Sequence, residues 1–155
     1  MMRGMRVRKV TLAALIGWLA GLAATFPLQL AEVLRNTNGD WKLMVASLGL
    51  GLMIWAMWTL GMAVTGWIVA GLPVALFAKP PLLLQRRTTA TVVSGIVGLA
   101  VVAVKFRIWE MEWTGADFLA IRLYAVFLTT FAAATAWVYV GFLRRANRVR
   151  ITVPA

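Results

Sequence analysis

Carboxylates are the main candidates for chemistry in this sequence, because cysteine and histidine, two of the commonest catalytic residues, are missing. The chain contains neither cysteine nor histidine. Thiolate nucleophiles, imidazole bases and thiol or imidazole ligands for zinc or haem are therefore excluded. Five carboxylates remain for acid–base chemistry or for a hard metal ion: Glu32, Asp40, Glu110, Glu112 and Asp117. With so few groups we predict no catalytic residue, no metal site and no cofactor.

The densest mixture of charge lies in the stretch VVAVKFRIWEMEW, residues 101–113. Apolar residues lead to Lys105 and Arg107, and two glutamates then follow between two tryptophans. Charged and aromatic residues in this arrangement are typical of a membrane edge, where side chains meet the lipid headgroups. In an antiparallel hairpin centred near Met111, Lys105 would lie level with Asp117 and could pair with it. We interpret the stretch as the outer lip of a membrane protein.

An outer polar cluster around this lip is the first candidate site. Its members are Lys105, Arg107, Asp117, Arg122 and Glu32. They would line an outward-facing pocket for an anionic ligand, a lipid headgroup or an acid of a partner subunit. The simpler interpretation is that the cations extend to the headgroups and pair with nearby acids. Arg122 is the member of most interest, because its depth in the last apolar stretch predicts that it does not face lipid.

Three tryptophans form the second candidate site, a pocket for a hydrophobic ligand. Trp18, Trp55 and Trp58 fit neither membrane interface and are predicted to lie at similar depth on the first two apolar stretches. The alternative is ordinary packing between two helices. In that case each indole N–H finds a serine, threonine or carbonyl partner.

Small residues recur at four-residue spacing and predict close helix packing. On the first apolar stretch the spacing includes Gly17 and Gly21, and on the third it includes Ser94 and Gly98. Such ridges let helix backbones approach where lipid removes the usual hydrophobic driving force. The pattern leaves open whether the partner helix belongs to the same chain or to another.

The elements that carry these residues are predicted to be membrane-spanning helices. Of the 155 residues, 62% are hydrophobic and 14% are charged, which is unlike a soluble protein. About 20 apolar residues cross a bilayer core of about 30 Å. The sequence therefore predicts an all-α integral membrane protein, a single domain formed by a four-transmembrane-helix bundle. The predicted spans are 10–30, 43–70, 89–109 and 117–143, with an interfacial segment at 71–88.

The number of spans depends on residues 43–78, which carry no charge. A straight helix of that length would be roughly 54 Å long, so the alternative is two short spans and five in total. The charges favour four. With four spans one side collects eleven cations and no acid: Arg3, Arg6, Arg8, Lys9, Lys79, Arg86, Arg87, Arg144, Arg145, Arg148 and Arg150. Because cytoplasmic loops are rich in lysine and arginine, both termini are predicted to be cytoplasmic.

The same charges bear on the partners and the location of the protein. The net charge of +11 would suggest nucleic acid in a soluble protein, but here it lies along membrane edges. We therefore expect anionic lipid headgroups on the cytoplasmic side as partners and exclude nucleic acid. The first span is read as an uncleaved signal anchor, because it is long for the apolar part of a signal peptide. A bacterial cytoplasmic membrane is the predicted location.

These features favour a non-catalytic accessory subunit that packs against other integral-membrane subunits of a larger complex and binds lipid. The alternative is a small homo-oligomeric channel, carrier or lipid-handling protein with an outward-facing polar site around Arg122. A third hypothesis is an enzyme of the membrane interface with Glu110, Glu112 or Asp117 as its base.

Overall fold

The computed structural model describes residues 2–38, 40–71, 73, 86–107 and 115–151. Within these ranges the side chains of residues 2–6, 70, 115–117 and 145–151 are not described. The segments with Glu110, Glu112, Trp109 and Trp113, and most of the predicted interfacial segment 71–88, lie outside the described residues. So does the predicted pairing of Lys105 with Asp117.

Four long helices make up the described part of the chain. They are α1 (Met2–Asn36), α2 (Trp41–Gly66), α3 (Arg87–Phe106) and α4 (Gly115–Ile151). A π-helical turn, Trp67–Gly71, continues α2. Each helix contains a stretch long and apolar enough to cross a membrane: Val7–Asn36, Trp41–Val69, Arg87–Phe106 and Phe118–Arg144. Within the described ranges, the prediction of an all-helical protein with four helices of spanning length is confirmed.

The ends of these helices differ from the predicted spans for local reasons. Helix α2 begins two residues before position 43, because the Asp40 carboxylate accepts hydrogen bonds from the backbone N–H of Lys42 (2.9 Å) and Leu43 (3.3 Å). Such a cap satisfies N–H groups that the first turn leaves free. Helix α3 ends at Phe106, three residues before position 109, because Arg107 adopts the left-handed conformation (φ 46°, ψ 50°).

Helix α4 is the centre of the arrangement, since it packs against both α1 and α3. Helix α2 packs against α1. The buried apolar side chains of the described residues are mostly small, and the largest of them is Phe127 of α4. Small side chains bring the helix axes close together, which is how membrane helices gain packing contacts.

Helix α2 is the peripheral helix of the four. Only 6% of the residues in its apolar window are buried, against 33% in α1 and 22% in each of α3 and α4. Most of the surface of α2 is therefore exposed in the single chain.

Candidate functional site

The glycines of α1 lie directly against α4. A Cβ atom on Gly17 would collide with the Thr135 hydroxyl and would lie 2.7 Å from the Phe131 carbonyl oxygen. A Cβ atom on Gly21 would lie 2.7 Å from the Phe127 ring. These two positions of the predicted ridge therefore face a helix of the same chain.

The α3 part of the ridge also faces α4. A Cβ atom on Gly98 would lie 2.7 Å from the Leu128 carbonyl oxygen and 3.1 Å from the Thr129 Cα atom. Ser94 is half-buried, and its neighbour Gly95 is buried. A Cβ atom on Gly95 would lie 3.5 Å from Thr129 Cγ2, so Gly95 contributes to the contact although the four-residue pattern does not include it.

Two of the three tryptophans join α1 to α2 through hydrogen bonds to threonines. Trp18 Nε1 of α1 donates to Thr59 Oγ1 of α2, and Trp55 Nε1 of α2 donates to Thr25 Oγ1 of α1, both at 3.1 Å. Both threonines are fully buried. Because each hydroxyl donates its own proton to a carbonyl of its own helix, all these polar groups are satisfied. The arrangement is reciprocal and fixes how α2 lies on α1.

Trp58, the third tryptophan of the predicted pocket, does not lie with the other two. Trp55 packs edge-on against Tyr124 and Phe127 of α4, with ring centroids 5.1 and 6.0 Å apart. Trp58 points away and is 64% exposed. The structure thus divides the predicted trio into two packing residues and one surface residue.

The outer polar cluster is also divided. Lys105 Nζ lies 4.1 Å from the centre of the Tyr124 ring, and the Arg122 guanidinium lies 3.8 Å from the centre of the Phe118 ring. Tyr124 and Arg122 are two residues apart, so their side chains leave α4 on nearly opposite sides. Arg122 is exposed on the surface of this chain, and the expectation that it does not face lipid stays a prediction. Arg107 is exposed and caps the end of α3.

Two of the five carboxylates have structural roles at helix ends. Glu32 Oε1 accepts hydrogen bonds from Arg35 Nη2 (3.2 Å) and Asn36 Nδ2 (3.0 Å), both on its own helix. Asp40 caps α2. Glu32 was predicted as a partner for the cations of the outer cluster, but its described partners belong to the last turn of α1. No group of three or more carboxylates able to hold a metal ion occurs among the described residues.

Helix α2 carries an exposed stripe that was not predicted from the sequence. We name it the α2 stripe: Ser47, Gly51, Ile54, Trp58, Gly61 and Thr65, all exposed. The spacing of four, three, four, three and four residues places them on one face. A Cβ atom on Gly51 or Gly61 would meet nothing within 4 Å. The signal in the sequence is two pairs of small residues four apart, on either side of Trp58.

Comparison of the chain with protein-family models, with curated proteins and with solved structures finds no match. Its function has to be inferred from its own geometry.

Proposed function

We propose that this protein is a non-catalytic integral-membrane subunit that packs the α2 stripe against a helix of a larger membrane complex. The observation that carries the proposal is the contrast among its glycines. Gly17, Gly21 and Gly98 pack directly against α4, whereas Gly51 and Gly61, which share one face, and Gly49 on another face have open space beside them. Within a helix a glycine costs about 1 kcal/mol relative to alanine, so an unfilled pair needs another reason to be there.

On a helix surrounded by lipid, exposed small residues indicate a partner helix better than exposed large residues do. Exposed leucines and valines are compatible with lipid and indicate nothing about a partner. Glycine and serine pairs at four-residue spacing allow a second helix to approach closely and gain van der Waals contact. The stripe offers two such pairs, Ser47 with Gly51 and Gly61 with Thr65, with the exposed Trp58 ring between them.

Helix α2 is also held in place before any partner binds. The reciprocal Trp18–Thr59 and Trp55–Thr25 hydrogen bonds fix the face that it presents. A pre-oriented face loses less conformational freedom on association, which favours binding. The same stripe carries both a large side chain and gaps beside it, so it also fits a second copy of the chain. The homo-oligomeric channel, carrier or lipid-handling alternative rests on that fit.

The proposal includes an orientation, with both termini cytoplasmic and the protein in a bacterial cytoplasmic membrane. The eleven cations at the predicted inner edges support it. We expect green fluorescent protein fused after Ala155 to fluoresce, and alkaline phosphatase inserted at Met111 to be active. Alkaline phosphatase inserted at Lys79 serves as the control and should be inactive. The opposite pattern would contradict the orientation.

The partner interface is tested by the double substitution Gly51→Leu with Gly61→Leu. We expect the wild-type protein, extracted in mild detergent, to migrate with other integral-membrane subunits at a defined ratio measured by native mass spectrometry. The double variant should be released from that complex, because two leucines fill the space that the partner helix needs. The matched control is Gly49→Leu, since Gly49 also faces open space but leaves α2 about 200° away from Gly51.

The outcomes separate the proposals. A hetero-complex that is lost in the double variant and kept in the control supports the accessory subunit. A homo-oligomer with the same dependence supports the alternative instead. Any assembly that survives the double variant excludes the α2 stripe as the interface.

A further inference from the structure

An open groove of about 500 Å³ lies between α3 and α4, away from the α2 stripe. Its α4 wall runs from Val138 through Ala134 to Thr129, and Thr91 lines it from α3. From Thr129 to Val138 the helix rises by nine steps, which correspond to about 13 Å. A hydrocarbon core of about 30 Å has leaflets of about half that thickness. The groove therefore runs along approximately one leaflet, starting at one end of the bundle.

A cation is fixed at the mouth of the groove. Arg87 is the first residue of α3, and its guanidinium lies 5.1 Å from the centre of the ring of Trp137, which lines the groove. Arg87 Nη2 lies against Gly141, where any side chain would collide with it. Arg87 Nε is buried and has no hydrogen-bond partner among the described residues. A buried donor without a partner is costly, so this position favours an added acceptor.

The surroundings of Arg87 favour an anion. Arg86 is exposed beside it and occupies the N-cap of α3 without forming a side-chain cap. The first N–H groups of a helix that lacks such a cap remain available to an anion. The sequence contains no acid between Asp40 and Glu110 and none after Asp117, so no carboxylate of α3 or of the second half of α4 competes.

We propose that this groove binds one anionic phospholipid, with its phosphate at Arg86 and Arg87 and one acyl chain along the wall from Val138 to Thr129. The apolar length of the groove selects a lipid over a free anion, which would use only the mouth. Trp137 suits this position, because tryptophan favours the level of the headgroups. The site does not depend on the α2 stripe, and failure of either proposal leaves the other standing.

In the sequence, Arg87 is only one of the eleven cations that set the predicted orientation. Its partner Trp137 is 50 residues away in the sequence, and only the antiparallel packing of α3 on α4 brings the two side chains together. A basic residue at a helix start could not be distinguished from its neighbours without that contact.

The test uses the full chain, delipidated in detergent and titrated with dioleoyl phosphatidylglycerol or dioleoyl phosphatidylcholine, with binding followed by native mass spectrometry. We expect one phosphatidylglycerol per chain, bound at least tenfold more tightly than phosphatidylcholine. Arg87→Gln should weaken phosphatidylglycerol binding about tenfold, because a charged hydrogen bond is lost. Arg87→Lys should retain most of the affinity. Arg8→Gln is the matched control, since it removes an exposed cation near the start of α1 and should change the affinity less than twofold.

A second variant tests the acyl chain rather than the phosphate. Ala134→Phe fills the groove and should abolish binding while circular dichroism shows unchanged helix content. Equal binding of the two lipids by the wild-type protein would overturn the proposal without any variant. An equal effect of Arg8→Gln and Arg87→Gln would overturn the proposal, because it would show that general electrostatic attraction, and not this groove, holds the lipid. Displacement of phosphatidylglycerol by millimolar inorganic phosphate would assign the mouth to a free anion instead.

Discussion

Replacing Phe127 by alanine is expected to lower the free energy of unfolding by about 3–5 kcal/mol, the range for truncating a buried phenylalanine. Phe127 is fully buried. Its ring stacks on Phe131 with centroids 5.9 Å apart and meets Trp55 edge-on at 6.0 Å. It also fills the space over Gly21. One side chain thus holds α1, α2 and α4 together, and its removal leaves a cavity where three helices meet.

The measurement is unfolding of the purified protein by sodium dodecyl sulfate in mixed micelles, followed by circular dichroism. Phe26→Ala is the matched control, because Phe26 lies on α1 and is 39% exposed. It removes the same atoms and should cost less than about 1 kcal/mol, as surface substitutions usually do. Equal losses in the two variants would show that Phe127 is not the centre of the packing.

The helices themselves could be predicted because long apolar runs follow a simple rule. A chain that crosses a bilayer must satisfy its backbone polar groups internally, so long apolar runs become helices. The run from residue 43 illustrates the limit of that rule, since hydrophobicity alone did not show where α2 ends. The regular α2 helix ends at Gly66 and continues as a π-helical turn at Trp67–Gly71, and the hydrophobic pattern did not predict that change of backbone geometry.

The faces of the helices could not be predicted in the same way. Sequence position gives the depth of a side chain but not its direction around the bundle. Lys105 and Arg122 have suitable depths for one polar site, yet Lys105 lies over the ring of Tyr124 and Arg122 lies over the ring of Phe118, two different residues of α4. The described partners of Glu32 are Arg35 and Asn36, three and four residues away on its own helix, and its depth in the sequence did not single them out.

The tryptophans show which part of a site the residue types do predict. An indole N–H in a membrane helix requires an acceptor, and threonine is among the expected partners. The structure supplies Thr59 for Trp18 and Thr25 for Trp55. Trp58 is also a tryptophan, but it is exposed. Its different environment follows from its position around α2, which the residue type does not show.

Gly98→Leu is expected to destabilise the fold strongly and Gly51→Leu is not, although the substitution is the same. At Gly98 even a Cβ atom would lie within 2.7 Å of the Leu128 carbonyl oxygen, and the contact is with backbone that no side-chain rotation can relieve. We expect the free energy of unfolding to fall by about 3 kcal/mol, the upper part of the range for overpacking. At Gly51 the space is open, so the fold should be unaffected or stabilised by up to about 1 kcal/mol through helix propensity.

The same detergent titration measures both variants, and the comparison tells an internal ridge from an interface. If Gly51→Leu keeps its stability but loses its partner, the glycine serves association and not folding. If Gly51→Leu destabilises the isolated chain as strongly as Gly98→Leu, then α2 packs against its own bundle on that face, and the stripe cannot be a free surface. Small residues at four-residue spacing predict close packing in both places, and only the response to added volume shows which helix fills the gap.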